Sequence, residues 1–534
     1  MLIRTLASAG VRRIFTVSGN HIMPVFDAAL DGGIELVHAR HEAAAVHMAD
    51  ASSRISGSVG VALVTGGPGH ANAVSALYTA LMAEAPVLLL SGHAPTRELG
   101  MGAFQEMRQA DIAAPVTKAA WTCNSADEVA GDIARALRIA QSGRPGSVHV
   151  SLPSDALEDD ASSTYAPTTA DFGALASVLD AQVGDALLRR LRDASRPIVL
   201  VGPASMTRHG WVLAAAFEDA AGIPVVGMES PRGIADPSLG AFAEMLAQAD
   251  CVLLVGKRLD FTLQFGRSTA FDPQCAWLQI DADEVELERS CRAVGERLTT
   301  TAVADAASAL RMLARSASAY RHTHASWRAE VHDALRYRPS AWEQARSTNA
   351  QRLHPVQALR PLQSLLDSHP DSALVADGGE FGQWAQACLT APHRVINGVA
   401  GSIGTALPYA IGARSELPDA PVVAVLGDGT FGFHPAELDT AVRYSLPFVA
   451  VIGNDARWNA EYQIQLRDYG ADRTSGCELL PTRYDLASTA FAGHGELVSD
   501  AAEFAPAIER AYRSGLPACV NVMIDGVAAP RIRR

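Results

Sequence analysis

Cysteine is scarce here: seven residues in a chain of 534, an odd number with no CxxC spacing. That excludes a disulfide framework and fits a reducing compartment. No apolar stretch approaches the length of a membrane span. Runs of basic residues are missing too, and the formal charge of −14 argues against nonspecific nucleic-acid binding. There is no GxGxxG fingerprint; the nearest approach, Val201-Gly202-Pro203, gives a nicotinamide site little support. No short-period repeat is present. The opening Met1–Gly10 reads as an amphipathic helix leading into a strand at Arg13–Val17, not as a signal peptide. These absences predict a cytoplasmic protein without a membrane or nucleic-acid partner. What is present, 48% hydrophobic and 19% charged residues, suits a large enzyme, and the length is too great for one core.

Three α/β blocks are visible. Residues 1–155 alternate β-rich runs (Ile14–Val17, Glu35–His38, Gly60–Thr65, Pro86–Ser91, Ser147–Leu152) with helical stretches. Residues 183–315 do the same around Pro197–Val201, Pro224–Gly227, Cys251–Val255 and Ala276–Ile280. Residues 355–534 hold runs near Ala373–Ala376, Pro421–Leu426, Pro447–Ile452 and Ala518–Ile524. Such alternation predicts three doubly wound parallel sheets. The stretches 156–182 and 316–354 read as linkers, the second helical.

The most informative segment is Gly427-Asp428-Gly429, followed 25 residues later by Asn454-Asp455. Each pair closes an apolar run, with the helical Pro435–Tyr444 between them, so the unit is strand–loop–helix–strand. Glycines beside an acid at a strand's carboxyl end let backbone N–H groups approach phosphate oxygens, while the acid holds a hard cation. A second oxygen donor after the next strand faces the same crevice. Alone, the triplet is also a common turn; the spacing favours the ligand site.

This pairing resembles the diphosphate–magnesium motif of thiamine diphosphate enzymes. The resemblance implies Asp428 as a Mg²⁺ ligand, Asp455 where a second ligand is normally Asn, and the carbonyl of Arg457 as the third. Asp in place of Asn adds negative charge beside a diphosphate. Gly427, Gly429 and Thr430 would line the phosphates, and Asn454 would order the loop. Asp377-Gly378-Gly379-Glu380 follows another strand and either lines the phosphates or is a plain turn. Gly401-Ser402-Ile403-Gly404 matches the segment that bends the cofactor: Ile403, otherwise a core residue, would wedge between its rings, and the Gly401 carbonyl would accept from the pyrimidine amino group.

In the first block His41-Glu42-Ala43-Ala44 begins a helix ending near Met48–Ala51. The resemblance makes Glu42 the acid that hydrogen-bonds the pyrimidine ring; by itself it reads as a surface glutamate. The turn Thr65-Gly66-Gly67-Pro68-Gly69 resembles the glycine loop of the same enzymes, which brings Gly67 and Pro68 to the cofactor. Gly19-Asn20-His21-Ile22 looks like the benzaldehyde lyase segment that supplies an active-site histidine, and Phe104-Gln105-Glu106 like one that sends Gln105 into the site. His21 suits general acid/base work on a substrate oxygen, or is a helix-start histidine. His70, His93 and His434 are weaker candidates, and Arg531, Arg533 and Arg534 form a solvated tail or touch an anionic substrate.

The block order resembles the acetolactate synthase-like superfamily: pyrimidine, central and diphosphate domains. Met101–Glu106 and Gly429–Tyr444 also resemble 2-hydroxyacyl-CoA lyases and oxalyl-CoA decarboxylases, whereas Leu152-Pro153-Ser154-Asp155 lacks the lysine usual in acetolactate synthases. The expected activity is a lyase or carboligase reaction next to a carbonyl of a small substrate, with acetolactate synthesis as the alternative. An alternative of another class is a silent nucleotide-binding homologue. Related central domains bind FAD, ADP or nothing. Because Glu42 and Asp428 lie in different blocks, the resemblance implies a site between subunits, hence a homodimer at minimum and commonly a homotetramer.

Overall fold

The computed structural model describes residues 1–162, 165–323 and 325–534. They fall into two compact units: residues 1–141, 145–174 and 345–529 form one, and residues 142–144, 175–344 and 530–534 the other.

The first unit contains two six-stranded parallel sheets. Strands Arg13–Thr16 (β1), Glu35–His38 (β2), Gly60–Val64 (β3), Val87–His93 (β4), Ala119–Thr122 (β5) and Val148–Pro153 (β6) run in the order β2-β1-β3-β4-β6-β5. The second unit holds Pro197–Val201 (β7), Val225–Gly227 (β8), Cys251–Val255 (β9), Ala276–Asp281 (β10) and Leu298–Val303 (β11), ordered β11-β10-β9-β7-β8. Ala373–Ala376 (β12), His393–Ile396 (β13), Val422–Gly427 (β14), Val449–Asn454 (β15), His494–Val498 (β16) and Ala518–Met523 (β17) return to the first unit as β13-β12-β14-β15-β17-β16. All pairings within these sheets are parallel, which confirms the doubly wound α/β class. Renumbered from their own first strands, the first and third sheets have the same winding.

Central strands such as β3, β9 and the first five residues of β14 are buried throughout, because helices cover both faces of a parallel sheet. The four strands that the apolar runs did not reveal, β5, β11, β13 and β16, are all sheet edges. An edge is covered less completely, so Arg, Thr, His and Glu interrupt its apolar run.

Helix Glu42–Ser56 extends beyond the expected Ala51 and is buried along most of its length. It lies between the first sheet and helix Ala406–Glu416 of the third, with its residues in the same core cluster. A Cβ on Gly412 would sit 2.2 Å from the Met48 carbonyl oxygen, so only glycine permits this backbone-to-backbone approach. Asp50 takes two hydrogen bonds from Arg54 of its own helix and, across that seam, one from the Tyr409 hydroxyl. In the second unit Arg144 donates to the Gly256 carbonyl and pairs with Asp281, and the backbone N–H of Arg534 donates to Glu244. Arg534 is thus spoken for within that unit.

Candidate active site

Strands β12, β14 and β15 end side by side, and their following loops form one crevice at the third sheet's carboxyl edge. Ligands of open parallel sheets bind at such edges. Gly378, Gly379, Glu380, Ile403, Gly427, Asp428, Gly429, Thr430, Asp455 and Arg457 line it, together with Trp458 and Asn459. The expected loop at Asp428 is a one-turn helix, Asp428–Phe431. Beneath it Trp458 is the floor: a Cβ on Gly429 would meet its ring at 2.8 Å. Gly379 and Gly427 instead face open space, where a methyl group in place of either hydrogen would meet nothing nearer than 4.0 Å.

Two acids meet here. Asp428 and Asp455 are 2% and 8% exposed. Burial pushes the Asp428 carboxyl up to about 6, against the backbone N–H groups of Gly429, Ala456 and Arg457 that favour its ionised form. Burial first, and then the charge of Asp428, push Asp455 up to about 7, with Arg457 opposing. Asp428 Oδ1 accepts from the Gly429 N–H at 3.1 Å; Oδ2 is buried without a partner. Neighbouring acids out of water are accommodated by a shared proton or by a cation.

Asp377, fully buried, ties two loops together. Its Oδ1 accepts from Gly378 N–H (2.7 Å) and Gly404 N–H (3.0 Å), and its Oδ2 from Ala406 N–H (3.0 Å). Its carboxyl is pushed up to about 6 by burial. Asn454 does not line the crevice. It points into the sheet, where Nδ2 donates to the Thr482 carbonyl and to Asn521. Gly401 lies outside the lining as well, on an exposed turn with φ +69°. The Glu380 carboxylate accepts the Ala529 N–H at 2.7 Å.

The first-block candidates gather at the carboxyl edge of the first sheet. His41 caps the helix that starts at Glu42, its Nδ1 accepting the Ala43 N–H. Glu42 Oε2 accepts from Asn72 at 3.0 Å, and its Oε1 faces Gly69, where a Cβ would come within 3.5 Å. His21 shares a 3.1 Å hydrogen bond between Nδ1 and the Thr65 hydroxyl, and the Phe104 ring stacks on it at 6.1 Å. Burial, then the neighbouring His93, hold its pKa below the usual histidine range. Gly67, followed by Pro68 at the first position of its helix, donates its N–H to Gln109 and lies against Gln105. Gln105 adopts φ +58° and its Oε1 is buried without a partner. Glu42, His21, Gln105, Gly67 and Pro68 are absent from the Asp428 crevice lining.

Comparison with known proteins decides the family. The thiamine pyrophosphate enzyme N-terminal TPP binding domain matches residues 1–112, the central domain residues 185–313 and the C-terminal TPP binding domain residues 377–522. The chain belongs to the thiamine pyrophosphate enzyme family. Its relatives include "Acetolactate synthase large subunit IlvG" of Mycobacterium tuberculosis, 34% identical over 99% of this chain and 96% of the relative. "Oxalyl-CoA decarboxylase" of Escherichia coli is 30% identical over 99% and 95%, and "2-hydroxyacyl-CoA lyase 2" of Homo sapiens 30% over 97% and 88%. This member is accordingly a thiamine-diphosphate-dependent enzyme of C–C bond lyase and carboligase chemistry. No helix among the described residues is long and apolar enough to cross a membrane.

The thiamine pyrophosphate enzyme's own residues fit the cofactor. The crevice joins an open glycine cradle, a partnerless Asp428 oxygen and a second acid. Among the described residues no cluster of three or more His, Cys, Asp or Glu side chains could hold a metal. Sequence reasoning missed Trp458, Asn72, Thr65 and Gln109. Only Trp458, a bulky ring next to Arg457, carried a visible signal. His70 shares a hydrogen bond with Ser91, His93 with the Met107 carbonyl and His434 with the Gly404 carbonyl, so each has a structural partner.

Proposed function

We propose that this enzyme is a Mg²⁺-dependent lyase/carboligase acting on small carbonyl compounds, with each site completed by two chains. Thiamine diphosphate, when bound, supplies a carbon nucleophile that makes or breaks a bond next to a carbonyl. Asp428, Asp455 and the Arg457 carbonyl would hold the cation, and the backbone of Gly378, Gly379, Gly427, Gly429 and Thr430 the diphosphate. Glu380 and Asn454 would order the surrounding loops. Ile403 would support the bent cofactor, and the Gly401 carbonyl would take the pyrimidine amino group. Glu42, at the positive end of its helix, would exchange a proton with the pyrimidine ring nitrogen. Gly67 and Pro68 would form the wall beside it. His21 would pass a proton to or from the substrate oxygen, and the unpaired Gln105 amide oxygen would orient a hydroxyl or water.

One observation carries the reading. The buried, partnerless Asp428 oxygen faces a glycine cradle that does not contain Glu42. A homodimer is then the minimum unit, and a homotetramer a pair of such dimers. Mixing Glu42→Gln and Asp428→Asn chains tests this directly. Hybrid dimers carry one site with both native residues, so activity should return although each variant alone is dead. If no mixture revives, the two-chain site is wrong.

Condensation of two 2-oxo acids is the second reading, supported by the 34% identity to an acetolactate synthase. The buried His21 beside Gln105, whose amide oxygen has no partner, favours a hydroxyl-bearing adduct instead. Acetolactate formed from pyruvate alone would decide for condensation; cleavage of 2-hydroxyacyl-CoA esters or acyloins would decide for the lyase.

A further inference from the structure

The backbone that delivers Glu42 is gripped by a helix of the other sheet. Helix Glu437–Arg443 follows the Asp428–Phe431 turn in the chain and reaches residues 38–41, immediately before Glu42. The Tyr444 hydroxyl accepts the His38 N–H at 2.9 Å, and the Arg443 guanidinium donates to the His38 carbonyl at 2.6 Å. Glu437 Oε1 accepts the N–H groups of Arg40 (3.0 Å) and His41 (3.1 Å), while Oε2 takes the Thr440 hydroxyl at 2.7 Å. Outside this ring Arg40 pairs with Asp439 at 3.3 Å. Glu437 is 1% exposed.

Every group pointing at Glu437 is a donor, and two of them are backbone N–H groups that precede the first turn of a helix. Such groups have no partner inside the helix and must find one elsewhere. A surface pair would add little, but a buried acceptor of two adjacent amides fixes where that turn starts. Glu42 is the next residue. A displacement there of a fraction of an ångström is enough to matter for proton transfer.

We propose that Glu437 is a positioning residue for Glu42: it fixes the Arg40–His41 peptide units so that the segment following Asp428 also aims the Glu42 carboxylate. This rests on the proposed role of Glu42. In a two-chain site each chain gives Asp428 to one centre and Glu42 to the other, so the Glu437 grip physically joins the two centres of a dimer.

The test uses the full-length chain. Without cofactor, amide hydrogen exchange of a peptide covering residues 38–46 should accelerate about tenfold or more in Glu437→Gln, with less change in Tyr444→Phe. With thiamine diphosphate and Mg²⁺ bound, exchange of the cofactor's C2 proton should slow by roughly a hundredfold in Glu437→Gln, while the cofactor Kd stays within about threefold of the parent. Normal amide protection and normal C2 exchange in folded Glu437→Gln overturn the proposal. So does slowed exchange that only tracks a proportionally weaker Kd. Should Glu437→Gln fail to fold, Thr440→Val, which removes the hydroxyl that holds Glu437 Oε2, decides by the same two readouts. Glu42→Gln is the control: if its C2 exchange is normal, the role of Glu42 is what fails. If only Glu42→Gln is slow, the grip fails and that role stands.

Discussion

The first and third sheets wind identically, yet their carboxyl edges carry different side chains. Loops that follow corresponding strands can be set side by side. After the third strand, one sheet has Thr65-Gly66-Gly67 and the other Gly427-Asp428-Gly429. After the second strand, one has Glu42 opening a helix and the other Gly401-Ser402-Ile403. After the fourth, one has His93 and Ala94, the other Asp455. Both edges use glycine for close approach. Only the third puts two acids together, and only the first pairs an acid at a helix start with a buried histidine. The winding sets where a loop emerges; under the proposed function a few side chains on it would decide whether the edge holds an anion with its cation or moves a proton.

The largest expected effects set the edges against each other. Glu42→Gln should cut turnover by about a hundred- to ten-thousandfold with cofactor still retained. Asp428→Asn should raise the Mg²⁺ Kd by about a hundredfold or more and lose turnover only because the cofactor leaves. Turnover and titration calorimetry on both variants check this; the same phenotype from both would erase the division of labour.

The next contrast is pH. Asp428 and Asp455 sit at about 6 and about 7 without a cation, above their ordinary value. In the cation-free protein their contribution to folding is therefore complete below about pH 4 and is lost as pH rises through 6 and 7. The cation needs both ionised, so its affinity runs the opposite way. The Mg²⁺ Kd should be about tenfold or more higher at about pH 5.5 than at about pH 8, and the gain in Tm on adding Mg²⁺ and cofactor should be largest at the higher pH. A flat Kd across that range would mean that the acids are not the cation's ligands.

His21→Ala should lower turnover by up to about a hundredfold at unchanged cofactor affinity; unchanged turnover would make it a structural partner of Thr65. The smallest effect belongs to Asn454→Ala. Removing an amide buried between Thr482 and Asn521 should cost about 1–3 kcal/mol in denaturant unfolding, with cofactor affinity in the folded fraction unchanged. A large affinity loss would bring Asn454 back to the crevice.

Legibility in the sequence followed burial. Strands covered on both faces, such as Val449–Asn454, stood out as apolar runs, and four of the six edge strands did not. The meeting of Asp428 and Asp455 in one crevice was readable because spacing along one strand–loop–helix unit implies proximity. Contacts between distant segments were not. Asn72 against Glu42, Trp458 under Gly429 and Glu437 on the Arg40–His41 peptides depend on how the sheets pack. Asn454, read as ordering the loop beside Asp455, has its amide turned away from the crevice by alternation along β15 and donates to the Thr482 carbonyl.

The contact between Gly412 and the Met48 carbonyl has a dynamic consequence. Helices that touch backbone to backbone, over a sealed Asp50–Arg54–Tyr409 network, have no side-chain cushion to slide on. Opening that seam would take the Tyr409 hydroxyl from Asp50 and expose the apolar core that the two helices share, which disfavours rocking of one sheet against the other. The Leu99–Gln105 stretch is built differently: Met101 and Phe104 protrude from a turn held by the Glu106 carboxylate, which accepts the Gly100, Gly102 and Ala103 N–H groups.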